Sequence, residues 1–244
     1  HGQLCMDALC NMVSSETAVV SIMWANNETG NIYPIFEAAE IAHQHGALFH
    51  TDAVQAVGKV PVDLAKANVD FLALSGHKIH APKGVGALYV KRRTKFHPFL
   101  VGGHQEEGRR AGTENTAGIV ALGKAAELAA RNLNAEMSSV AALRDRLEQG
   151  LLKRVSKSMV NGNPRNRLPN TSNVSFSYVE GEAILLRLNE FGIAASSGSA
   201  CTSGSLEPSH VLRAMAVPET SLHGSIRFSL SRFTTGRDVD FVLE

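Results

Sequence analysis

A lysine and a carboxylate, each at the end of a hydrophobic run, are the first residues whose types and placement suggest chemistry. Lys78 follows the run "DFLALS" (70–75) after only Gly76 and His77. An amine that leaves a buried strand into a crevice is partly desolvated. Desolvation disfavours its charged form and frees it for Schiff-base chemistry with a carbonyl. Asp52 closes the preceding run, in "FHTDAVQ" (49–55). A carboxylate there can pair with a pyridinium nitrogen and keep the ring protonated, which makes it a better electron sink. Ser75, His77 and the backbone N–H groups of the same strand end are donors for a phosphate. Taken alone, Lys78 reads as a surface lysine beside a turn; its combination with Asp52 at strand ends favours the chemical reading. Asn26 and Gln55 each read two ways. Asn26 is either a donor to a ring oxygen or an Asx-turn residue opening the loop "NNETG", and Gln55 either a ring-oxygen donor or a polar helix start.

The other reactive group is a thiol. Cys201 sits in "SSGSACTSGS" (196–205), a run of small residues with no bulky side chain. Small side chains and the glycines Gly198 and Gly204 relax the backbone, so the run reads either as a swinging arm or as a plain surface loop. Cys5 and Cys10 fall in an expected helix, "MDALCNMV" (6–13) with the residue before it, and read as small apolar fillers. Three cysteines, an odd number without metal-type spacing, argue against a disulfide framework and for a reducing compartment. The histidines lack the carboxylate or cysteine spacing of a metal site.

The elements that must position these groups follow from apolar periodicity. "TAVVSIMWA" (17–25), "ALFHTDA" (47–53), "DFLALS" and "GVGALYV" (84–90) are expected strands, with Trp24 in the core. Pro34 opens a helix that Gly46 stops, and "DLAKANV" (63–69) is a short one. Alternating strands and helices predict an α/β sheet with right-handed crossovers. The loops after the first three strands then lie at carboxyl ends, where ligands of such sheets collect, and share one crevice. From Thr113 the pattern turns helical. "AEMSSVAALRDRLEQGLL" (135–152) predicts a buried stripe of Met137, Val140, Leu143 or Arg144, Leu147 and Leu151. "TSNVSFSYV" (171–179) alternates like a half-exposed strand, "EAILLRLNEFG" (182–192) is a helix closed by Gly192, and "GSIRFSLSRF" (224–233) is a strand. Near the end, Thr235 is an expected N-cap with Asp238 three residues on.

The chain has 244 residues, 44% of them hydrophobic, and a net charge of +1. It is long enough for a real core and too balanced in charge to carry a footprint for nucleic acid or an acidic membrane surface. No apolar run approaches the roughly 20 residues that cross a bilayer. With no signal peptide, a cytoplasmic protein is expected. His1 in place of a methionine, and an end soon after a helix start, suggest an internal fragment of a longer chain.

"FHTDAVQAVGK", "SGHKIHAPKGVGALYV", "RRAGTENT" and "SSGSACTSGSLEPSHVLRAM" together resemble the cysteine desulfurases. These are pyridoxal-phosphate-dependent enzymes of fold type I, the aspartate-aminotransferase-like class. "SLEPSHVLRAM" and "HGSIRFSLSRF" are most similar to the NifS branch, which supplies sulfur for nitrogenase clusters. The resemblance runs over essentially the whole chain. It implies an α/β fold with residues 1–131 as the C-terminal part of a large, mixed-sheet coenzyme-binding domain and 132–244 as a truncated small α/β domain. It implies that Lys78 holds pyridoxal 5'-phosphate, that Asp52 pairs the pyridine nitrogen, and that Asn26 and Gln55 contact the ring hydroxyl side. Ser75 and His77 would bind the phosphate. Thr113 would reach the phosphate held by a second subunit, which implies a homodimer. Arg227 would clamp the substrate carboxylate, as its bidentate geometry suits. Cys201 would take the sulfur of L-cysteine as a persulfide and pass it to a NifU-like scaffold for iron–sulfur cluster assembly in nitrogen fixation.

The chain departs from that family in lacking the N-terminal glycine-threonine phosphate loop and the ring-stacking histidine, so the fragment alone is expected to bind coenzyme poorly. Glu107, in "GGHQEEGRRAGT", stands where relatives usually carry arginine. Alternative readings are a housekeeping desulfurase or selenocysteine lyase of the same fold and, from another class, a non-catalytic scaffold in which Cys201 binds a cluster. The last is disfavoured because clusters want several thiolates.

Overall fold

The computed structural model describes residues 1–197 and 207–244. The chain divides into two compact units. The first holds Met6–Trp24 and Pro34–Asn132; the second holds Leu133–Glu244 together with two N-terminal stretches, His1–Cys5 and Ala25–Tyr33. No single cut in the sequence separates them.

In the first unit the elements run α1 (Met6–Met12), β1 (Val19–Met23), α2 (Ile35–Gln44), β2 (Leu48–Asp52), α3 (Leu64–Ala67), β3 (Phe71–Ser75), β4 (Gly86–Val90) and all but the last three residues of α4 (Thr116–Ala135). The strands lie in that order in one sheet. β1, β2 and β3 are parallel, with Met23 opposite Asp52 and Asp52 opposite Ala73. α2 presents Ile35, Ala38, Ala39 and Ala42 as its buried face. The helix ends at Gly46, whose φ of +80° is open to glycine without a Cβ clash. Asp63 caps α3 by accepting from the Ala65 N–H. Trp24 is buried as expected and meets Phe36 edge-on. β4 runs antiparallel to β3, so the sheet is mixed, as the resemblance implied. Only 10 residues separate Ser75 from Gly86, too few for a helical crossover, so the chain turns back on itself. α1 buries no residue, and Cys5, which precedes it, and Cys10 are both exposed, not core fillers. Its apolar residues Met6 and Leu9 are half-buried and Val13, just past its end, is buried, while Cys10 stays in solvent.

The second unit contains α5 (Ala141–Arg154), β5 (Ser158–Asn161), β6 (Thr171–Phe176), α6 (Gly181–Glu190), β7 (Ser196–Ser197), α7 (His210–Ala214), α8 (Glu219–Leu222), β8 (Ser225–Ser229) and α9 (Gly236–Leu243). Its sheet has the order β5-β6-β8-β7, antiparallel throughout. The core joins Val140, Leu147 and Leu151 to Val174, Phe176, Ile226, Phe228 and Val239. The expected N-cap is present as a full capping box between Thr235 and Asp238, and the Thr235 hydrogen bonds hold the Asp238 carboxyl below its ordinary value.

Two expectations about this unit are corrected. β6 is buried at all six positions, not at alternate ones. It lies between β5 and β8, and its polar residues find partners: Asn161 Nδ2 donates to Asn173 Oδ1 and Ser175 Oγ, both at 2.7 Å. Met137 is 42% exposed. The stretch Glu136–Val140 winds as a π-helix, and the wider turn shifts the phase of the apolar stripe.

Arg144 replaces an apolar residue in that stripe. Its Nη1 donates to the Leu168 carbonyl at 2.7 Å. Beside it Arg167 meets Glu148 in a bidentate pair at 2.7 Å, and Ser172 Oγ donates to Glu148 Oε2 at 2.7 Å. Burial alone pushes the Glu148 carboxyl up; the Arg167 and Ser172 hydrogen bonds and the charges of Arg167 and Arg144 together outweigh it and hold Glu148 below its ordinary value of 4.5. Arg167→Met strands that carboxylate, and we expect a loss of about 3 kcal/mol in urea denaturation. The pair contributes stability above the unfolded value and loses it as pH falls through the lower folded one. Glu148→Gln should therefore flatten the fall in melting temperature on acidification below pH 4.5.

Candidate active site

Parallel pairing puts the carboxyl ends of β2 and β3 on one edge of the first unit's sheet. Asp52 ends β2 and Ser75 ends β3, and Lys78 lies on the 3₁₀ turn Gly76–Ile79 that leaves β3. The turn is held from within. Ile79 is 2% exposed and packs against Ala125 and Ala129 of α4, so the residue beside the lysine is fixed while Lys78 itself stays half-buried. Gly76 N–H donates to the Val85 carbonyl at 2.9 Å, which ties the turn to the approach of β4.

Ser75 Oγ and His77 Nδ1 share a hydrogen bond of 2.7 Å. Together with Lys83, Gly84, Val85 and Gly86 they line an open cleft of about 410 Å³. Asp52 is half-buried, and its Oδ1 accepts from the Val54 N–H at 2.9 Å. Gln55 follows in the turns after β2, also half-buried. Five of the residues singled out in the sequence, Asp52, Gln55, Ser75, His77 and Lys78, therefore gather at one sheet edge. Lys83 was missed by the sequence reading; its signal is the "PKGVG" stretch, a cation beside two glycines. The donor set, hydroxyl, imidazole and ammonium beside a cleft with a carboxylate on the neighbouring strand, suits a phosphorylated pyridine aldehyde.

Asn26 and Arg227 belong to the second unit. Asn26 is buried, and its Oδ1 accepts from the N–H groups of Glu28 and Thr29 at 2.9 Å and from Thr29 Oγ1 at 3.2 Å. This is the Asx-turn geometry. Burial pushes the Tyr33 phenol up, and its hydrogen bond with Asn26 works the other way. Arg227, on β8, donates from Nη1 to the Asn27 carbonyl at 2.8 Å. The loop that begins at Asn26 is thus tied to the arginine by its second residue.

Thr113 lies exposed in the stretch before α4. Glu107 pairs with Arg109 at 3.4 Å, both side chains in solvent, so the charge it brings is answered locally. Cys201 lies outside the described residues. Among the described residues, no group of three or more His, Cys, Asp or Glu is placed to hold a metal, and no helix is long and apolar enough to cross a membrane.

Asn26→Ala removes every bond to Oδ1 and is expected to cost about 2 kcal/mol in chemical denaturation. Asn26→Asp keeps the accepting oxygen and should cost less than about 1 kcal/mol.

Residues 1–242 match the sequence profile of the Aminotransferase class-V family. A protein of Gluconacetobacter diazotrophicus named cysteine desulfurase is 63% identical over all of this chain, and one of Azotobacter vinelandii named cysteine desulfurase NifS is 60% identical over 99% of it. The chain spans 61% and 60% of those two relatives. Among solved structures, a NifS-like protein superposes with a TM-score of 0.91 at 36% identity, covering 99% of this chain and 63% of that one. A NifS-like protein from Rickettsia africae gives 0.86 at 33% identity, covering 98% and 63%.

Proposed function

On the footing that this chain belongs to the class-V aminotransferase family, we propose that it carries the catalytic residues of a cysteine desulfurase of the nitrogenase-associated branch. The observation that carries the reading is Lys78 on the turn leaving β3, next to the hydrogen-bonded Ser75–His77 pair and on the sheet edge that Asp52 shares. The relatives' names, cysteine desulfurase and NifS, support the choice of reaction.

The family's coenzyme is pyridoxal 5'-phosphate, and when bound it supplies an electron sink for the α carbon of an amino acid. In this reading Lys78 holds it covalently, Asp52 faces the pyridine nitrogen, Ser75 and His77 hold the phosphate, and Asn26 and Gln55 face the ring hydroxyl. Thr113 serves the phosphate held by the second subunit of a homodimer. Arg227 receives the carboxylate of L-cysteine in a two-pronged pair. Lys78, once its amine is free, moves the α proton. The Cys201 thiolate attacks the substrate sulfur, the carbon–sulfur bond breaks towards carbon, and protonation there yields L-alanine. Cys201 is left as a persulfide for a NifU-like scaffold that assembles iron–sulfur clusters. The free thiols of Cys5 and Cys10 suit a reducing, cytoplasmic setting.

The test uses the full-length protein. Wild type should show the near-visible absorption of bound coenzyme and release sulfide with L-alanine from L-cysteine. Lys78→Ala should lose the absorption band, and Cys201→Ala should keep it while sulfide release falls by at least about 100-fold. Colour retained in Lys78→Ala, or turnover of selenocysteine with none of cysteine, overturns the reading.

A further inference from the structure

The cleft beside Ser75 and His77 contains a cation that the proposed reaction has not used. Ser75, His77, Lys83, Gly84, Val85 and Gly86 line it, and all of them belong to the first unit. A single reversal of the chain builds it. Ser75 closes β3 directly opposite Gly86, which opens β4, and the Gly76 N–H donates to the Val85 carbonyl at 2.9 Å. The returning chain thus carries Lys83 to the strand end that bears Ser75. Residues directly opposite each other in an antiparallel pair put their side chains on one face. Gly86 brings none, so the position facing Ser75 stays bare.

Ser75 Oγ and His77 Nδ1 share a hydrogen bond of 2.7 Å, and that bond limits what the pair can give a ligand. A hydroxyl and a neutral imidazole each have a single proton to donate. If the hydroxyl donates to Nδ1, only the Nε2–H of the ring is left. If Nδ1–H donates to Oγ, only the hydroxyl proton is left. In both arrangements the pair offers one donor and no charge. A phosphate monoester carries a charge of about −1.5 to −2 at pH 7 and three acceptor oxygens. Among the residues lining the cleft, Lys83 is the one that answers this charge. It is exposed, its ammonium has three donors, and no carboxylate is in the lining to claim them.

We propose that Lys83 is a further phosphate-binding residue of this site. Its ammonium meets the charge of the phosphate that the Ser75–His77 pair orients. The proposal rests on the reading of Ser75 and His77 as the partners of the phosphate, and it adds to them a residue from the β4 side of the cleft. Because the cleft is open, the attraction is screened by salt.

The experiment titrates the full-length protein, stripped of coenzyme, with pyridoxal 5'-phosphate and with pyridoxal, which lacks only the phosphate. Binding is read from the near-visible absorption band and not from turnover, with the melting temperature recorded alongside. Lys83→Gln is expected to raise the Kd for pyridoxal 5'-phosphate about tenfold and to leave that for pyridoxal within about twofold. Lys83→Arg keeps the charge and should recover most of the loss. Added salt should weaken pyridoxal 5'-phosphate binding less in Lys83→Gln than in wild type. Pyridoxal 5'-phosphate binding unchanged in Lys83→Gln, or equal weakening of both ligands, overturns the proposal. So does an affinity no better in Lys83→Arg than in the Gln variant. Ser75→Ala, titrated in parallel, separates the proposal from the reading beneath it. If Lys83→Gln lowers the preference for the phosphorylated ligand and Ser75→Ala does not, the Ser75 reading falls and the Lys83 assignment stands. If Ser75→Ala lowers that preference and Lys83→Gln does not, the Lys83 assignment falls alone.

Discussion

Burial of Ile79 against α4 anchors the turn that carries Lys78, and the candidate site is built outward from that contact. A lysine at the end of a strand has many rotamers and a solvated head, so its position is decided by the backbone that bears it. Here the backbone has little freedom. Ile79 plugs into Ala125 and Ala129, and Gly76 bonds to Val85. At Gly86 a Cβ would stand 2.6 Å from the Leu74 carbonyl, so β3 and β4 approach at a spacing that only glycine allows there. Parallel pairing of β2 with β3 then brings Asp52 to the same edge without any direct contact between the two side chains being required.

The second unit is organised by polar groups that a hydrophobic tally would place outside. Asn161, Asn173, Ser175 and Ser225 form a buried ladder across β5, β6 and β8. Asn173 extends that ladder to the loop after Asn26 by bonding the Glu28 carbonyl. Buried polar networks of this kind are costly when half-satisfied and specify one arrangement when complete. The loop bearing Asn26 is short and has no apolar side chain to bury. Its fixed shape comes from the hydrogen bonds that Asn26, Asn173 and Arg227 make to it. The Arg144–Arg167–Glu148 cluster plays the same part under α5, where guanidinium groups occupy a face that the helix period reserves for apolar residues.

Most elements were legible because they announce themselves locally. An apolar run bounded by turn residues reads as a strand, as at 48–52 and 71–75, and Thr235 with Asp238 reads as a helix start, as the capping box bears out. The gathering of Asp52, Ser75, His77 and Lys78 was legible too, since strand ends in a parallel sheet share an edge. The misreadings have a common cause. β6 alternates polar and apolar residues, and nothing in that pattern tells whether the polar ones meet water or buried partners supplied by β5 and β8. Cys5 and Cys10 carry no signal of exposure, because a small thiol is compatible with either side of a helix.

Residue types and their order along the chain were enough to place Asp52, Ser75 and Lys78 at or just past strand ends and to mark the strands that present them, because those depend on short-range periodicity. Tertiary structure alone decided which strand of the sheet runs antiparallel, that residues 25–33 join the unit formed by the C-terminal half, and that Glu28 is buried beside Ser209. Each of those outcomes depends on a partner far away in sequence, 181 residues in the case of Glu28 and Ser209. No local pattern encodes what a polar group will meet once the chain has closed around it.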